Sequence, residues 1–363
     1  MIGNRMEKFE ILGKTLKEAA DFFKAQGFPE YRAKQVYRWI FQKACTDFNL
    51  MTDLPLALRS QLEEMITAEV PAVIKSQFSS SDRTEKLLLR LSDGYAVEAV
   101  RMEYRLDRAR DRVTFCLSSQ IGCPIGCPFC ATGQTGFVRN LTAAEIVGQA
   151  LALLQRGEAD VEGINVVFMG MGEPFLNLEA VKQAVYVLHE PQGMGISWRR
   201  FTVSTAGVVP GIYRLAEEKL PVNLAVSLHA ADNKLRDRLV PVNRRYPLEE
   251  LLPACAHYAR ATGRRVSFEY VLIHGVNDSV VHASKLADLL AGMQVLVNLI
   301  PANPTERSNF KASSAEALQM FKRVLSSRGI GVTVRESKGS AISAACGQLR
   351  YQVMGAKGKG GGA

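Results

Sequence analysis

The chain has 363 residues, 47% of them hydrophobic, which is enough for one large α/β domain with an appendage. Its formal net charge of +9 favours a polyanionic partner, nucleic acid before an anionic membrane. The sequence contains neither a long apolar run nor an apolar N-terminal core, so we expect no membrane span and no secretory signal. Seven cysteines, an odd number, predict reduced thiols and a cytoplasmic protein.

The N-terminal region is predicted to be helical. Residues 16–66 contain a single glycine, and Thr15 stands where an N-cap is expected. Basic and aromatic side chains occur together here: Tyr31, Arg32, Lys34, Tyr37, Arg38, Trp39 and Lys43. This pattern suits RNA binding, or equally a helical bundle with Tyr37 and Trp39 in its core. We predict a helical accessory, RNA-binding domain over residues 1–70.

A β-hairpin is predicted next. Residues 85–104 show a two-residue apolar period on both sides of Ser92-Asp93-Gly94, which is a strong turn signal. The run at 105–112 contains four arginines and is either a solvated connection or a contact for RNA phosphates. We assign residues 71–110 to a β-hairpin linker.

Strand-like and helix-like segments alternate over the rest of the chain. The apolar, β-rich runs cover residues 113–118, 164–169, 201–204, 222–228, 266–273, 295–300 and 331–334. Helical patterns lie between them, at residues 142–155, 178–189, 248–262 and 313–327. Repeated β-α-β units predict parallel strands, closed or nearly closed into a barrel, with the chemistry at their carboxyl ends. The predicted fold class is α/β, a partial (β/α)6-type barrel at 111–350 with a helical domain and a hairpin as extensions. A flexible, basic, glycine-rich tail is predicted at 351–363.

Three cysteines stand close together after the first barrel strand. In Cys123-Pro-Ile-Gly-Cys127-Pro-Phe-Cys130 the spacing lets three thiolates hold a cubane iron–sulfur cluster and leaves one iron open. A structural zinc site needs four closed ligands, and buried cysteines rarely occur three at a time in such a loop. The motif resembles that of the radical S-adenosylmethionine (SAM) superfamily, in which the open iron binds SAM.

Polar groups and glycines follow several predicted strands. Gly172 and Glu173 come after the strand at 164–169, where glycine lets the backbone approach a ligand and the carboxylate can pair with an ammonium group. Three later strands end at Ser204, at Ser227-Leu228-His229 and at Asn303. Each of these alone is typical of a strand-end cap or a turn. Together, on one face of a barrel, they predict a pocket that binds SAM.

Two more cysteines lie apart from these three. Cys116 is inside the first barrel strand, and Cys346 is near the C-terminus in Ala344-Ala345-Cys346-Gly347-Gln348-Leu349. A lone cysteine is commonly a small buried hydrophobe, and we interpret Cys45 and Cys255 in that way.

Four stretches together resemble one family: Phe115-Cys116-Leu-Ser-Ser-Gln-Ile-Gly-Cys123, Phe129-Cys130-Ala-Thr-Gly, Phe168-Met-Gly-Met-Gly-Glu-Pro174 and Ala344-Ala-Cys-Gly-Gln-Leu349. They are similar to the RlmN family of radical SAM RNA adenine-C2 methyltransferases, and the similarity runs from about residue 10 to about residue 350. The resemblance implies methylation of an adenosine in the peptidyl-transferase region of 23S rRNA, and of the tRNA adenosine 3′ of the anticodon. It also implies a [4Fe-4S] cluster, two SAM molecules per turnover and an external, flavodoxin-like electron donor.

The resemblance further implies a role for three side chains. Cys346 matches the cysteine that takes a methyl group from one SAM and, after a radical from a second SAM removes a hydrogen, passes the carbon to adenine C2. Glu98 matches the acceptor of the C2 proton. Cys116 matches the thiol that attacks Cys346, forming a transient disulfide and releasing methyladenine. A resolving thiolate must reach its partner sulfur, so we expect Cys116 and Cys346 to lie close together above the barrel mouth.

One departure and three alternatives stay open. The family usually carries acidic residues just before Ala-Ala-Cys, whereas residues 339–343 here are Gly-Ser-Ala-Ile-Ser. The related adenine-C8 methyltransferases, which confer antibiotic resistance, share all the cysteines named for the site. A zinc-containing RNA-binding or ribosome-assembly protein is the alternative from another class. A radical SAM enzyme for small molecules would leave the basic N-terminal region and the pair Cys116 and Cys346 unexplained.

Overall fold

A computed structural model describes residues 8–106, 109–157, 163–303, 309–335, 338–349 and 352–353. Most of the predicted tail, residues 354–363, lies outside these ranges. Of the arginine-rich run at 105–112, residues 107–108 and the side chains of 105–111 also lie outside the description.

The N-terminal region is helical, as predicted. Its elements are β1 (Phe9–Glu10), α1 (Leu16–Ala25), α2 (Glu30–Phe41), α3 (Leu56–Met65) and β2 (Ile66–Thr67), with β1 and β2 paired in parallel. Helix α1 begins because Thr15 and Glu18 form a reciprocal capping box, in which each side chain accepts from the other residue's backbone N–H.

The aromatic residues of α2 divide between core and surface. The Tyr37 side chain is fully buried, and its hydroxyl donates to the carbonyl of Lys14 at 3.3 Å. Trp39 is partly buried and donates to Asp53 Oδ1 at 2.6 Å, while Tyr31 is 53% exposed. The bundle-core interpretation is therefore right for Tyr37, which cannot stack on RNA bases.

The hairpin prediction is confirmed. Strands β3 (Ala72–Ser79), β4 (Thr84–Arg90), β5 (Tyr95–Leu106) and β6 (Ala109–Cys116) pair antiparallel in sequence order. Asp93 at the turn accepts from the backbone N–H of Tyr95 at 3.1 Å, a local bond that favours the reversal. A second small hairpin, not predicted, consists of β7 (Gln120–Gly122) and β8 (Phe137–Asn140), and the short helix α4 (Ala131–Gln134) lies between its strands.

The predicted barrel is present as a set of parallel strands. After β6 they are β9 (Ile164–Phe168), β10 (Phe201–Thr205), β11 (Asn223–Ser227), β12 (Val266–Leu272), β13 (Val295–Pro301) and β14 (Gly331–Val334). The helices are α5 (Ala143–Leu154), α6 (Leu178–His189), α7 (Val209–Glu217), α8 (Asn233–Leu239), α9 (Leu248–Thr262), α10 (Val280–Leu289) and α11 (Ala315–Ser327). Strand β15 (Gln352–Val353) pairs antiparallel with β5.

All the strands from β3 to β6 and from β9 to β14 belong to one sheet in the described part of the chain. The order β14-β13-β12-β11-β10-β9-β6-β5-β4-β3 leaves β14 and β3 unpaired with each other, so the barrel is partial. The hairpin strands continue directly into the barrel sheet. The domain boundaries at residues 70, 110 and 350 stay predictions.

Helix α5 joins the helical domain to the barrel. Almost all of its residues are buried, from Ala144 to Leu153, because it has apolar contacts on both sides. Gly13 of the N-terminal region approaches it closely: a Cβ there would lie 3.0 Å from the backbone nitrogen of Ala144. None of the helices in the described residues is both long and apolar enough to cross a membrane.

One buried amide on α5 fixes the chain just after Cys116. Gln149 is fully buried; its Oε1 accepts from the backbone N–H of Ser118 at 2.8 Å, and its Nε2 donates to the carbonyl of Ser118 at 3.0 Å. The Ser118 hydroxyl in turn donates to the carbonyl of Glu98 and accepts from the backbone N–H of Met171. The segment between Cys116 and the three-cysteine loop is thus held by side chains as well as by strands.

We expect Gln149→Leu to destabilise the protein by about 2 kcal/mol, because it leaves a buried N–H and a buried carbonyl without partners. Urea unfolding of the purified protein under anaerobic conditions measures the change. Gln155→Leu is the matched control, since the exposed side chain of Gln155 makes one hydrogen bond within the described residues, to the carbonyl of Ala44. Equal losses from the two variants would contradict the role given to Gln149.

Candidate active site

The carboxyl ends of the barrel strands surround a cavity. Its empty space is about 1040 Å³, part of it open to solvent. We call it the cysteine cavity, and the predicted site residues that line it are Cys123, Cys127, Cys130, Gly172, Glu173, Ser204, Ser227, His229, Asn303 and Cys346. A volume of this order accommodates a cofactor-sized ligand. The tertiary structure therefore brings together residues from six segments that the sequence places far apart.

The three-cysteine loop has a backbone that only glycine permits. Gly122, with φ of +74°, comes so close to Gly136 that an added Cβ would lie 1.8 Å from its carbonyl oxygen. Backbone N–H groups then point at the sulfurs: those of Ile125 and Gly126 at Cys123, and others at Cys130. Hydrogen bonds of this kind stabilise sulfur that carries negative charge.

The electrostatics of these thiols call for a cation. Burial raises the pKa of Cys123 to about 12 and holds the pKa of Cys127 and Cys130 above the usual range. Three buried thiols side by side are neutral unless a bound metal supplies positive charge. The donor set, three cysteine sulfurs with N–H groups directed at them, fits an iron–sulfur cluster held by thiolates.

The spacing of the thiols is not that of ligands to a single ion. Within the described residues, no three His, Cys, Asp or Glu side chains converge on a point that could hold one metal ion. A cubane cluster presents a different iron to each thiolate and so accepts sulfurs that are set farther apart.

Glu173 lies at the wall of the cavity and is 3% exposed. Its Oε2 accepts from the backbone N–H of Ala206 at 2.7 Å, and its Oε1 accepts from that of Phe175 at 3.1 Å. Burial raises the pKa of Glu173 to about 7, against these hydrogen bonds, which lower it. Glu173 can therefore cap the strand end and also bind a ligand, because each carboxylate oxygen keeps a second lone pair. A cationic ligand would favour the ionised form of the carboxylate.

His229 acts in this structure as a buried acceptor. Its Nδ1 accepts from the backbone N–H of Val271 at 3.0 Å, and its ring meets Phe129 of the cysteine loop edge-on, with centroids 5.0 Å apart. Burial lowers the pKa of His229 to about 3, so the ring is neutral at working pH. Ser204 donates to the carbonyl of Phe168 at 2.6 Å, while the Leu228 side chain is fully buried and does not line the cavity.

A fully buried arginine, which the sequence did not reveal, joins two of these strand ends. Arg236 donates to the carbonyls of Ala206, Ser227 and Leu228 at 2.6 to 3.1 Å. It also donates to Asn243 Oδ1 at 2.8 Å. Burial lowers the pKa of Arg236 to about 10, and the group is still charged at neutral pH. Three of these four acceptors are carbonyls at the ends of β10 and β11, so Arg236 fixes both strand ends where they face the cavity.

Cys116 and Cys346 lie close to each other, as expected from the resemblance. Both line a narrow cleft beside the cysteine cavity, together with Tyr104, Met169 and Arg335. Burial raises the pKa of Cys116 to about 12, and the neighbouring Cys346 raises it further. No disulfide joins them, since all seven cysteines are free thiols. We call this space the thiol cleft.

Residues 338–349 carry Cys346 back across the strand ends. Their hydrogen bonds involve separate parts of the chain. The backbone N–H of Gly339 donates to Asp82, and the carbonyls of the loop accept from four residues: Lys86 at Ser343, Asn303 at Cys346, Ala131 at Gly347 and Thr132 at Leu349. Residues 339–343 contain no acidic side chain, and this loop is held by Asp82 and Lys86 of the hairpin region.

Glu98 lies outside both spaces. Strand β5 places it on the same face of the sheet as Cys116, nearer the barrel mouth, because Val100 is directly opposite Cys116. It is 5% exposed and forms an ion pair with the buried Lys86, with Nζ and Oε1 3.0 Å apart. Lys86 also donates to the carbonyl of Ser343 at 3.0 Å, so one ammonium group connects Glu98 to the Cys346 loop.

Three site residues escaped the sequence analysis: Lys86, Glu269 and Arg335. Each had a visible signal, namely a charged residue inside or directly after an apolar strand. Such a residue is usually placed on the solvent face, and only the barrel shows that these three face the interior.

Two family models match the sequence. Residues 117–287 match the Radical SAM superfamily, and residues 9–68 match the N-terminal domain of the ribosomal RNA large subunit methyltransferase. The second match covers the helical region that precedes the hairpin.

Relatives match over nearly the whole chain. The probable dual-specificity RNA methyltransferase RlmN of Moorella thermoacetica is 49% identical over 95% of this chain and 98% of its own length. The corresponding protein of Syntrophomonas wolfei is 44% identical over 96% and 98%. A crystal structure of a radical SAM methyltransferase from Sphaerobacter thermophilus superposes with a TM-score of 0.89 and 47% identity, covering 94% of this chain and 99% of that one.

This similarity decides between the classes that the sequence left open. It excludes the zinc-containing assembly protein and confirms the enzyme class, the [4Fe-4S] cluster and SAM as cofactors. The chain belongs to the RlmN family of radical SAM RNA methyltransferases.

Proposed function

We propose that this enzyme methylates C2 of an adenosine in the peptidyl-transferase region of 23S rRNA, and C2 of the tRNA adenosine 3′ of the anticodon. The observation that carries the proposal is the thiol cleft, where Cys116 and Cys346 meet next to the three-cysteine loop. Adenine C2 is electron-poor and a weak nucleophile, so an ordinary transfer from SAM fails. A first thiol that carries the methyl carbon, and a second thiol that releases the product, avoid this direct transfer.

Cys123, Cys127 and Cys130 are the residues that would hold the cluster, and Glu173, Ser204, Ser227, His229 and Asn303 those that would bind SAM. When bound, these cofactors supply a methyl group and a one-electron cleavage that generates a hydrogen-abstracting radical. The protein's own part is to place Cys346 Sγ, as the carrier of the methyl carbon, at the boundary between the cavity and the cleft. The hydrogen bond from Asn303 Nδ2 to the Cys346 carbonyl, at 3.2 Å, fixes that position.

Cys116 is assigned the release step. Its thiolate attacks Cys346 Sγ, the Cys346 sulfur–carbon bond to the base breaks, and the electron pair passes to the carbon, which takes a proton to become the methyl group. The two sulfurs are left as a disulfide, which an external reductant must reopen. Burial and the neighbouring Cys346 raise the pKa of Cys116, and Arg335 beside both thiols opposes that rise and so favours the attacking thiolate.

Glu98 is assigned as acceptor of the C2 proton. The Lys86 ammonium lies 3.0 Å from Glu98 Oε1 and connects this carboxylate to the loop that carries Cys346. Because Glu98 does not line the cleft in this structure, the Cys346 loop and the base must approach it together during the reaction.

The RNA partner, the cytoplasmic location and the electron donor belong to the same proposal. The net charge of +9 and the basic helical region support an RNA partner, and seven free thiols fit a cytoplasmic enzyme. The one-electron donor is proposed to be flavodoxin-like.

The regiochemistry is tested by mass spectrometry of the product. We expect rRNA incubated with the reconstituted enzyme, SAM and a reductant to give 2-methyladenosine after digestion. The appearance of 8-methyladenosine would assign the enzyme to the related C8 activity instead, and unmodified RNA would contradict both.

We expect Cys116→Ala to trap RNA on the protein, because no thiol remains to cut the Cys346 sulfur–carbon bond. A denaturing gel with labelled RNA should show a covalent adduct that is absent from the wild-type enzyme. Cys45→Ala is the control: Cys45 is half-buried in the helical region, away from the cleft, and its loss should leave turnover normal. Normal turnover without adduct in Cys116→Ala would refute the role of Cys116.

The role of Glu98 is tested on RNA that carries deuterium at adenine C2. The adduct trapped by Cys116→Ala should lose the deuteron, whereas the adduct from Cys116→Ala with Glu98→Gln should keep it, one mass unit heavier. Glu103→Gln in the same background is the control, since Glu103 pairs with Arg83 outside both spaces. Loss of deuterium from all three would assign the proton to another acceptor.

A further inference from the structure

Glu269 is a carboxylate in the middle of an apolar barrel strand. On β12 its neighbours Phe268 and Tyr270 point away from the barrel interior and are fully buried, while Glu269 points inward and is 5% exposed. It lines both the cysteine cavity and a second, larger space on the inner side of the sheet. We call the second space the barrel cavity; its empty volume is about 1920 Å³.

Only one oxygen of this carboxylate accepts a hydrogen bond from the residues that the structure describes. Oε1 accepts from Asn298 Nδ2 at 2.7 Å, and the amide of Asn298 is oriented by the Thr333 hydroxyl, which donates to its Oδ1. Oε2 is buried and receives no hydrogen bond from the residues that the structure describes. A buried acceptor left unpaired is costly, and such a group commonly awaits a ligand that can donate.

Arg335 connects Glu269 to the reacting cysteine. Its Nη1 lies 4.0 Å from Glu269 Oε2, which is too long for a hydrogen bond, and 3.3 Å from Met169 Sδ. The proximity of Cys346, first, and of Glu269 raises the pKa of Arg335, while burial lowers it. Arg335 lines the cysteine cavity, the thiol cleft and the barrel cavity. These three residues line one wall of the cysteine cavity, which presents an acceptor at Glu269, a donor at Arg335 and the carrier sulfur at Cys346.

We propose that Glu269 and Arg335 read the Watson–Crick edge of the substrate adenine, with Glu269 Oε2 accepting from the exocyclic N6 amine and Arg335 donating to N1. This inference rests on the proposed C2 activity and names the residues that select the base.

The order of groups on adenine matches the order on the wall. Along one edge of the base come N6, a donor, then N1, an acceptor, then C2, the carbon to be methylated. Hypoxanthine, the base of inosine, has the opposite pattern, an acceptor O6 and a donor N1–H, with the same hydrogen at C2. Enzymes that act on an extruded base select it by such hydrogen bonds.

The lining of the barrel cavity is basic and runs from this wall to the amino ends of β10 and β12. Its lining includes Arg199, Arg200, Arg264 and Arg265, and Glu269 is the one carboxylate among the described residues that line it. None of these four arginines forms a salt bridge within the described residues. Arginines without carboxylate partners suit the phosphates that flank an inserted base.

The test compares hairpin RNAs that carry adenosine or inosine at the target position. The wild-type enzyme should prefer adenosine by about tenfold or more in kcat/KM. In Glu269→Gln the amide oxygen stays with Asn298 Nδ2, so Nε2 takes the place of Oε2 and donates to O6. The adenosine-to-inosine ratio should then fall by about tenfold or more. An unchanged ratio would overturn the proposal.

A control and two further measurements separate the other outcomes. Glu85→Gln removes a buried carboxylate that pairs with Arg156 outside all three spaces, and its ratio should equal that of the wild type. SAM cleavage by Glu269→Gln without RNA should stay normal; a loss of this cleavage would assign Glu269 to SAM and overturn the proposal.

If Glu269→Gln does not fold, the wild-type enzyme is given RNA with purine riboside, which lacks the N6 amine. We expect weaker binding by about tenfold, and equal binding would overturn the proposal. A wild-type product methylated elsewhere than C2 would refute the proposed function, independently of these ratios.

Discussion

The return of residues 338–349 across the barrel mouth is the constraint on which the site depends. Neither thiol has a chemical role without it, because Cys346 would otherwise lie far from the strand that carries Cys116. The segment is short and has no regular hydrogen-bonded ladder of its own. Its position comes from side chains of other elements, such as Lys86 to Ser343 and Asn303 to Cys346. A loop held by a few separate hydrogen bonds has a defined position and can still move, and the loop that carries Cys346 needs both properties.

Buried charge is concentrated where the chain needs precise geometry. Arg236 is fully buried and donates to four acceptors, and this fixes two strand ends without a salt bridge to any carboxylate in the described part of the chain. Arg335 and Glu269 are different, because their separation of 4.0 Å leaves hydrogen-bonding capacity unused. The first arrangement is typical of a structural group, and the second of a group that binds something else.

The structure shows why some interpretations of the sequence were left open or were wrong. In α2, the aromatic residues predicted either RNA contact or a core, and burial of Tyr37 against α6 decides for the core at that position. Leu228 was predicted with its neighbours as part of the pocket, but strand alternation turns its side chain into the core, while Ser227 and His229 line the cavity. The small hairpin of β7 and β8 was missed because its strands are too short to show a period.

The sequence by itself determined the alternation of strands and helices, the hairpin at its glycine turn and the iron–sulfur character of the three-cysteine loop. These are local properties: a two-residue or helical period, a turn residue and a ligand spacing are all contained within a few consecutive positions. Only the tertiary structure decided that Cys116 and Cys346 share a cleft and that Lys86, Glu269 and Arg335 face the interior. Such placements depend on which face of a strand points into the barrel and on how distant segments pack, and neither is encoded in short-range spacing.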